Sequence, residues 1–261
     1  MELDFFKYQG TGNDFILIDN REQGFTPDEK TIAFLCDRNF GIGSDGLIIL
    51  TAQDGYDFRM SYYNSDGKES SMCGNGGRCI AAYAHSLGLS GTSAKFYAND
   101  GEHIAEILSG INNVTRVRLK MKEVSNIFHT EGNLFLDTGS PHLVTFVHDI
   151  RKHDVYGHGR NIRYSDEFTI PGTNVDFVEV FPDHLFVRTY ERGVENETLS
   201  CGTGVTASAL AAALKHQRVS PIRVETPGGE LQVSFQQTDE HFTNIWLEGE
   251  ASFVFSGSIM L

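Results

Sequence analysis

A motif of cysteine and glycine occurs twice in the chain, first as Met72-Cys73-Gly74-Asn75-Gly76-Gly77-Arg78 and again as Ser200-Cys201-Gly202-Thr203-Gly204-Val205-Thr206. In each copy a cysteine precedes a Gly-x-Gly sequence, and a run rich in alanine and aliphatic residues follows. This pattern is typical of a helix that begins just after the cysteine. We therefore predict one helix over about 75–87, ended by Gly88, and a second over about 203–216.

The two copies indicate an internal duplication. Their cysteines lie 128 positions apart, and the same offset relates Gly101-Glu102 to Gly229-Glu230. Upstream, Thr11-Gly12-Asn13 matches Thr138-Gly139-Ser140 at an offset of 127. A spacing that persists over this distance is the signature of a repeated domain. We expect two domains, each contributing one thiol.

Composition narrows the class of protein. The 261 residues are 40% hydrophobic, as in a globular protein, and 35 acidic against 21 basic residues leave a net charge of -14. This charge repels nucleic acid and anionic membranes, so neither is an expected partner. The N-terminal Met-Glu-Leu-Asp lacks the basic and apolar regions of a signal peptide, and no apolar stretch is long enough to span a bilayer. We expect a cytoplasmic protein that acts on a small molecule.

The four cysteines do not form the pattern of a disulfide framework, so we expect free thiols. Cys36 falls on the apolar face of a helix that starts near Thr26-Pro27, and Cys79 lies inside the first long helix. Both are predicted to be small core residues. The histidines at 148, 153 and 158 lack a metal-ligand spacing, and no metal is expected.

The rest of the chain reads mostly as strands. Residues 3–9 and 15–19 should form a hairpin with Asn13 at its tip. Further strands are predicted at 47–50, 58–63, 95–98, 102–108, 114–121, 134–136, 143–147, 174–180, 184–190, 222–226, 230–235, 243–248 and 251–255. The last two are separated by a bend at 248–250, and the polar segment 122–131 should be the crossing between domains. The fold class is α/β (α+β), with each half a sheet around one long apolar helix.

A cysteine at a helix N-terminus has chemical consequences. The unpaired N–H groups and the positive end of the helix dipole favour the thiolate, so the pKa of such a cysteine should be lowered. The same N–H groups can hold a carboxylate. Two such sites on opposite sides of one carbon could remove its proton from one face and return one to the other. Racemisation or epimerisation without a cofactor is therefore the predicted reaction.

Three other interpretations stay open on this pattern. A cysteine nucleophile of a hydrolase or transferase would need a histidine base, and His142 could serve, but the second cysteine would then have no role. A redox pair is a weaker alternative, because the chain has no Cys-x-x-Cys. The third is an anion-binding protein in which both cysteines are structural.

A set of motifs in this order resembles the diaminopimelate epimerase family. They are Gln9-Gly10-Thr11-Gly12-Asn13-Asp14-Phe15, Gly41-Ile42-Gly43-Ser44-Asp45-Gly46, Asn64-Ser65-Asp66-Gly67, Cys73-Gly74-Asn75-Gly76, Asn174-Val175, Tyr190-Glu191-Arg192-Gly193 and Cys201-Gly202-Thr203-Gly204. The resemblance runs from residue 6 to about 250. It implies an epimerase, independent of pyridoxal phosphate, that interconverts LL- and meso-diaminopimelate in lysine and peptidoglycan precursor biosynthesis.

The resemblance also implies an architecture and a set of site residues. The family has two pseudo-symmetric domains of strongly curved, mostly antiparallel sheet around a helix, here 1–122 with a returning strand 251–261, and 123–250. Its members are typically homodimers and use no cofactor. Cys73 and Cys201 would be the acid–base pair, and His142 and Glu191 would tune the thiols. Substrate contacts are implied for Asn13, Asn64, Gly74, Asn75, Asn174, Glu191, Arg192, Gly202 and Thr203.

Three features depart from the family pattern. Ser140 stands where an asparagine is usual, some members carry glutamine where Gly46 stands, and the loop 194–198 is one residue longer than is common. These departures bear on the half of the pocket far from the reacting carbon. A related racemase that acts on another amino acid, such as histidine, is therefore the alternative.

Overall fold

The two Cys-Gly-x-Gly stretches each begin a long buried helix, as predicted. In a computed structural model that describes residues 1–70, 72–130, 132–168 and 172–261, the helices are α2 (Gly74–Ser86) and α4 (Gly202–His216). Cys73 and Cys201 are their N-cap residues. The alanine-rich sequences bury nearly every side chain of both helices, so each helix is the centre of its own core.

The described chain divides into two compact units, 1–119 with 249–261, and 120–248. We call them unit one and unit two. Unit one contains helix α1 (Glu29–Cys36), helix α2 and the first eight strands, except that Lys120, the last residue of the eighth strand, falls in unit two. These strands are β1 (Glu2–Gly10), β2 (Asn13–Asp19), β3 (Gly46–Thr51), β4 (Phe58–Asn64), β5 (Glu69–Ser70), β6 (Ser93–Ala98), β7 (Gly101–Ile111) and β8 (Val114–Lys120).

Unit two contains α3 (Val155–Arg163), preceded by a short 3-10 helix (Ile150–Lys152), and α4. Its strands are β9 (Ile127–Thr130), β10 (Asn133–Asp137), β11 (Pro141–Phe146), β12 (Asn174–Val180), β13 (Leu185–Glu191), β14 (Asn196–Thr198), β15 (Ile222–Thr226) and β16 (Gly229–Thr238). The last strand, β17 (His241–Met260), begins in unit two and ends in unit one.

Eight strands of unit one form a closed barrel in the order β1, β2, β3, β4, β6, β7, β8, β17 and back to β1. The β2–β3 and β4–β6 pairs are parallel, and the others are antiparallel. Helix α2 packs against β1, β2, β3, β4 and β7, which places it inside the barrel. This arrangement is the predicted curved, mostly antiparallel sheet around a helix.

Unit two repeats these pairings in the same order. Six pairs correspond, β10–β11, β11–β12, β12–β13, β13–β14, β13–β15 and β15–β16, and the two parallel pairs fall at the same places. The register corresponds as well, since Phe58↔Phe96 is matched by Leu185↔Val224, and Ala98↔Gly101 by Thr226↔Gly229. The duplication inferred from the cysteine spacing is therefore present in the hydrogen-bonding pattern of both sheets.

One prediction about the chain between these elements is wrong. The bend at 248–250 does not occur: β17 is one strand of 20 residues, because Glu250–Ser252 pair with β8 and residues from Ser252 onward pair with β1. Within the segment predicted as the crossing between domains, β9 pairs with β10, and Val124 bridges to Phe242.

The buried thiols away from the helix N-termini are confirmed as core residues. Cys36 and Cys79 are buried, and all four cysteines are free. Burial raises the pKa of Cys36, and it raises the pKa of Cys79 to about 12. In the part of the chain that the structure describes, no helix is long and apolar enough to cross a membrane.

Candidate active site

In unit one the site is assembled by the β1–β2 hairpin and the first turn of α2. Asn13 begins β2, and its Oδ1 lies 3.7 Å from Cys73 Sγ and 3.5 Å from Asn75 Nδ2. Asn13 Nδ2 donates to Asp45 Oδ2 at 2.7 Å, which fixes the amide so that its oxygen faces the thiol. The tip of the predicted hairpin is thus held against the predicted thiol.

The side chain that contacts Asn75 from within the core is a buried guanidinium, that of Arg78. Arg78 is fully buried on α2 and donates to Gly74 O at 3.3 Å, Asn75 Oδ1 at 3.0 Å and Thr11 Oγ1 at 3.2 Å. Asn75, 1% exposed, therefore has its carbonyl oxygen turned toward Arg78 and its amide nitrogen toward Asn13. Sequence reasoning missed Arg78, although a charged residue within an alanine-rich helical run was the available signal.

The base of the hairpin is held by ion pairs. Asp14 lies between Lys7, at 2.7 Å, and Arg38, at 2.7 Å, and Arg38 also reaches Asp45 at 2.8 Å. Burial alone would raise the pKa of Asp14, but hydrogen bonds and charges from Arg38 and Lys7 outweigh it and lower the pKa to about 2. The carboxylate that orders the neighbourhood of Asn13 therefore stays ionised at neutral pH.

In unit two Cys201 is buried at the start of α4, and a hydroxyl stands between it and His142. Thr203 Oγ1 lies 3.4 Å from Cys201 Sγ and 2.9 Å from His142 Nε2. Ser140 Oγ also lies 3.0 Å from the same ring nitrogen. The imidazole predicted to tune the thiol thus reaches it through Thr203.

The second nitrogen of His142 is held by an acid that sequence reasoning missed. Asp176 Oδ2 lies 2.7 Å from His142 Nδ1, both side chains are fully buried, and Thr189 Oγ1 donates to Asp176 Oδ1 at 2.7 Å. A carboxylate in the otherwise apolar strand 175–178 was the available signal, because such a residue is buried only with partners. A continuous chain of contacts therefore runs Cys201, Thr203, His142, Asp176.

The surroundings of Cys201 favour its neutral form. Burial, with the negative charges of Glu191 and Asp176, raises the pKa of the Cys201 thiol well above its usual range, although the Gly204 N–H and the Thr203 hydroxyl oppose this. The lowered pKa expected for a helix N-terminus is thus wrong for Cys201. The helix dipole is present, but desolvation and two nearby anions outweigh it.

Asn174 links His142 to the other predicted residues of unit two. Asn174 Nδ2 donates to Ser140 Oγ at 2.9 Å and to Pro141 O at 3.0 Å, and its Oδ1 accepts from the Arg192 backbone N–H at 2.8 Å. Asn174 therefore holds the chain just after β13, at Arg192. Glu191 ends β13, where its carboxylate accepts from Thr198 Oγ1 at 2.8 Å. Gly202 opens α4 beside Cys201.

Asn64 lies in unit one, at the end of β4 and opposite Gly46. It is exposed, and its backbone starts the turn that closes at Lys68. The departure at Gly46 has a packing reason: a Cβ there would lie 2.6 Å from the Tyr62 ring and 2.8 Å from Tyr63 O. Each unit thus contains its own subset of the predicted residues, with Asn13, Asn64, Gly74 and Asn75 in the unit of Cys73 and the remainder in the unit of Cys201.

The residues around the two cysteines occupy matching positions in the two units but differ in polarity. Sheet register matches Phe15 with His142, Ile48 with Asp176, and Tyr62 with Thr189. The matching glycines, Gly76 and Gly204, touch the corresponding pairs. Unit one thus has an apolar cluster where unit two has a buried acid and histidine, and Arg78 of unit one is matched by the neutral Thr206. The duplicated backbone carries two electrostatically different sites.

The architecture has solved counterparts. A PhzF-family phenazine biosynthesis protein of Bacillus anthracis matches with a TM-score of 0.79 over all of both chains at 15% identity. A hydroxyproline epimerase from Agrobacterium vitis matches with a TM-score of 0.68, over 100% of this chain and 93% of that one, also at 15% identity. The chain thus shares its overall fold with these two proteins.

Sequence comparison then identifies the family. The profile of diaminopimelate epimerase matches residues 5–124 and 134–254. The diaminopimelate epimerase of Flavobacterium psychrophilum is 49% identical over 97% of this chain and 99% of its own length. The chain belongs to the diaminopimelate epimerase family and is an isomerase, which confirms the resemblance drawn from its motifs.

Proposed function

We propose that this chain interconverts LL- and meso-diaminopimelate, with Cys73 and Cys201 as the acid–base pair and without a cofactor. The observation that carries the proposal is the placement of one cysteine as the N-cap residue of the central helix in each unit. The first N–H groups of a helix have no intrahelical acceptor, so each cysteine stands beside donors for an anion. Membership of the family supplies the substrate.

The reaction needs one thiolate and one thiol. The thiolate takes the α-proton, so a C–H bond breaks, an S–H bond forms and the electron pair moves toward the carboxylate. The N–H groups of Gly74, Asn75, Gly202 and Thr203 would stabilise the charge that develops there. The opposite thiol then donates its proton to the other face of the carbon. The two sulfurs exchange protonation states, and no atom is gained or lost.

The surrounding side chains have distinct roles in this proposal. His142, held by Asp176, would act on Cys201 through the Thr203 hydroxyl. Its buried position and short contacts support an orienting and charge-tuning role over that of a free base. Glu191 would tune the same thiol and meet a substrate ammonium, while Arg192 would pair with the second carboxylate. Asn13, Asn64 and Asn174 would form hydrogen bonds with the remaining polar groups of the substrate.

The domain boundaries, the cellular location and the oligomeric state are also part of the proposal. The two domains would be 1–122 with the returning strand 251–261, and 123–250. The enzyme would work as a cytoplasmic homodimer in lysine and peptidoglycan precursor biosynthesis. Size-exclusion chromatography with light scattering tests the dimer: a single species of monomer mass would contradict it.

Turnover in heavy water tests the central proposal. Wild-type enzyme should convert LL- to meso-diaminopimelate and introduce solvent deuterium at the α-carbon. Cys73→Ala and Cys201→Ala should each abolish inversion, whereas the matched core variant Cys79→Ala should keep it. Near wild-type turnover by either active-site variant would refute the two-thiol assignment. Histidine and glutamate serve as control substrates, because their inversion would indicate a racemase of another amino acid. Binding of diaminopimelate without deuterium exchange at the α-carbon would indicate an anion-binding protein.

A further inference from the structure

Arg78 is a buried cation for which the described residues supply no carboxylate partner. Its side chain is fully buried, and its hydrogen bonds go to neutral oxygens of Thr11, Gly74 and Asn75. Within the same described ranges its Nε has no hydrogen-bond partner. Removing a guanidinium from water without an anion is costly, so such a group needs an explanation.

The duplicated unit shows that the local fold does not require this charge. Thr206 occupies the matching position of α4, and its hydroxyl donates to Gly202 O at 2.9 Å, as Arg78 donates to Gly74 O. The hairpin tip of unit two is fixed by a hydroxyl as well, because Thr138 Oγ1 donates to Thr203 O at 2.8 Å. Neutral groups therefore join the helix to the hairpin in unit two, and the cation of unit one has a separate purpose.

The carboxylates on the elements beside the start of α2 already have cationic partners. On the hairpin and the loop beside it, Asp14 and Asp45 already pair with Lys7 and Arg38. At the β6–β7 turn, Asp100 pairs with His103.

On α2 itself the titratable groups near Arg78 are two thiols, Cys73 and Cys79. Burial raises the pKa of Cys79 to about 12, which keeps it a neutral thiol. Cys73 remains.

We propose that Arg78 is the buried counter-charge of the Cys73 thiolate, a positioning residue that acts on the reaction through that sulfur. The proposal rests on the proposed function, in which Cys73 must become a thiolate. Asn75 and Asn13 link the two groups: Arg78 holds the Asn75 oxygen, and Asn13 bridges the Asn75 nitrogen and Cys73 Sγ. The guanidinium thus contributes charge and also orders the amides that line the thiol.

The test is the pH dependence of Cys73 alkylation by iodoacetamide, a neutral reagent that Arg78 does not attract. Peptide mass spectrometry follows Cys73 separately from the other cysteines. Arg78→Gln keeps a hydrogen-bond donor and removes the charge, and Arg78→Met removes both. In each variant the pH at half-maximal alkylation rate should rise by about one unit or more, because an opposite charge nearby favours an ionised group by about 1–3 units.

The matched control is Thr11→Val, which removes a hydrogen bond of Arg78 and leaves its charge. Its midpoint should equal that of the wild type. Equal midpoints in the wild type and Arg78→Gln, or an equal rise in Thr11→Val, would overturn the proposal. Failure of both Arg78 variants to fold would do so as well, since it would assign the residue a structural role.

Alkylation requires no turnover, so the result is independent of the proposed function. A shifted midpoint in Arg78→Gln together with undiminished epimerisation by Cys73→Ala would refute the function and leave the Arg78–Cys73 coupling in place. An unshifted midpoint together with an inactive Cys73→Ala would refute the coupling alone.

Discussion

Alanine at Gly204 tests how tightly the His142–Asp176 pair is packed against α4. A Cβ at Gly204 would lie 2.4 Å from Asp176 Oδ1 and 3.2 Å from His142 Cε1, and both side chains are buried. At Gly76, the matching residue of α2, the nearest atom would be Ile48 Cδ1 at 3.0 Å, the end of a flexible side chain. The same substitution therefore meets a buried acid–histidine pair in one unit and a methyl group in the other.

The expected magnitudes follow from these contacts. Alanine in place of glycine stabilises a helix by about 0.5–1 kcal/mol, and this gain applies to both positions. Overpacking a core costs about 1–3 kcal/mol, so Gly76→Ala should change stability by no more than about 2 kcal/mol. Gly204→Ala must also displace Asp176, and breaking a buried pair costs about 3–5 kcal/mol. We expect Gly204→Ala to lose about 3 kcal/mol more than Gly76→Ala.

Urea and thermal unfolding measure this difference. A loss of about 3 kcal/mol corresponds to a fall in melting temperature of about 6–12 °C for a chain of this size. Gly91→Ala, where no atom lies within 4 Å of the new Cβ, is the surface control. Shortening the acid in the double variant Gly204→Ala with Asp176→Ala should show a coupling of at least about 1 kcal/mol. Equal losses at Gly76 and Gly204 would refute the reasoning.

Two further predictions concern charged residues. Because the folded pKa of Asp14 is lowered to about 2, the stability it contributes is present above its unfolded pKa near 3.8 and is lost as pH falls toward 2; Asp14→Asn should abolish that part of the acid dependence in unfolding curves, and parallel curves would contradict it. Arg192→Met should raise the KM for diaminopimelate by roughly thirtyfold, the equivalent of about 2 kcal/mol for charge-assisted hydrogen bonds. Amino acids with one carboxylate should be affected far less, and an equal loss on both would remove Arg192 from the distal pocket.

The repeated features of the fold could be predicted from sequence. The offset of 128 between the cysteines marks matching helices, and alternating apolar residues mark most strands. The segments that were not predicted correctly are those whose structure depends on pairing with other strands. Gly249 reads as a bend by composition, yet β17 continues through it because β8 and β1 supply hydrogen bonds on either side. Strand β9 lies in a segment without clear apolar periodicity, and it forms because β10 lies beside it. The secondary structure of such segments is determined by strands that are distant in sequence, and local composition carries no information about those partners.

Part of the candidate site could likewise be predicted from the sequence, and part could not. Motif spacing placed the cysteines at helix N-termini and Asn13 at the tip of the hairpin, where the structure has them. It did not reveal Asp176 or Arg78, whose significance depends on burial and on which partners they lack or possess. Nor did it reveal that Cys201 is surrounded by anions, which reverses the expected direction of its pKa shift. Charge balance in a core is a property of the folded arrangement.

This asymmetry has a chemical consequence for a two-thiol mechanism. A thiolate and a thiol must be present together, but two equal helix N-termini would favour the same protonation state at both sulfurs. The duplicated backbone makes the N-termini alike, so the difference must come from side chains. Arg78 places a positive charge in unit one, and Asp176 places a negative charge in unit two. If the proposed mechanism holds, exchanging these charges should reverse which sulfur is alkylated at low pH, and unchanged selectivity would show that the polarity of the two units has another purpose.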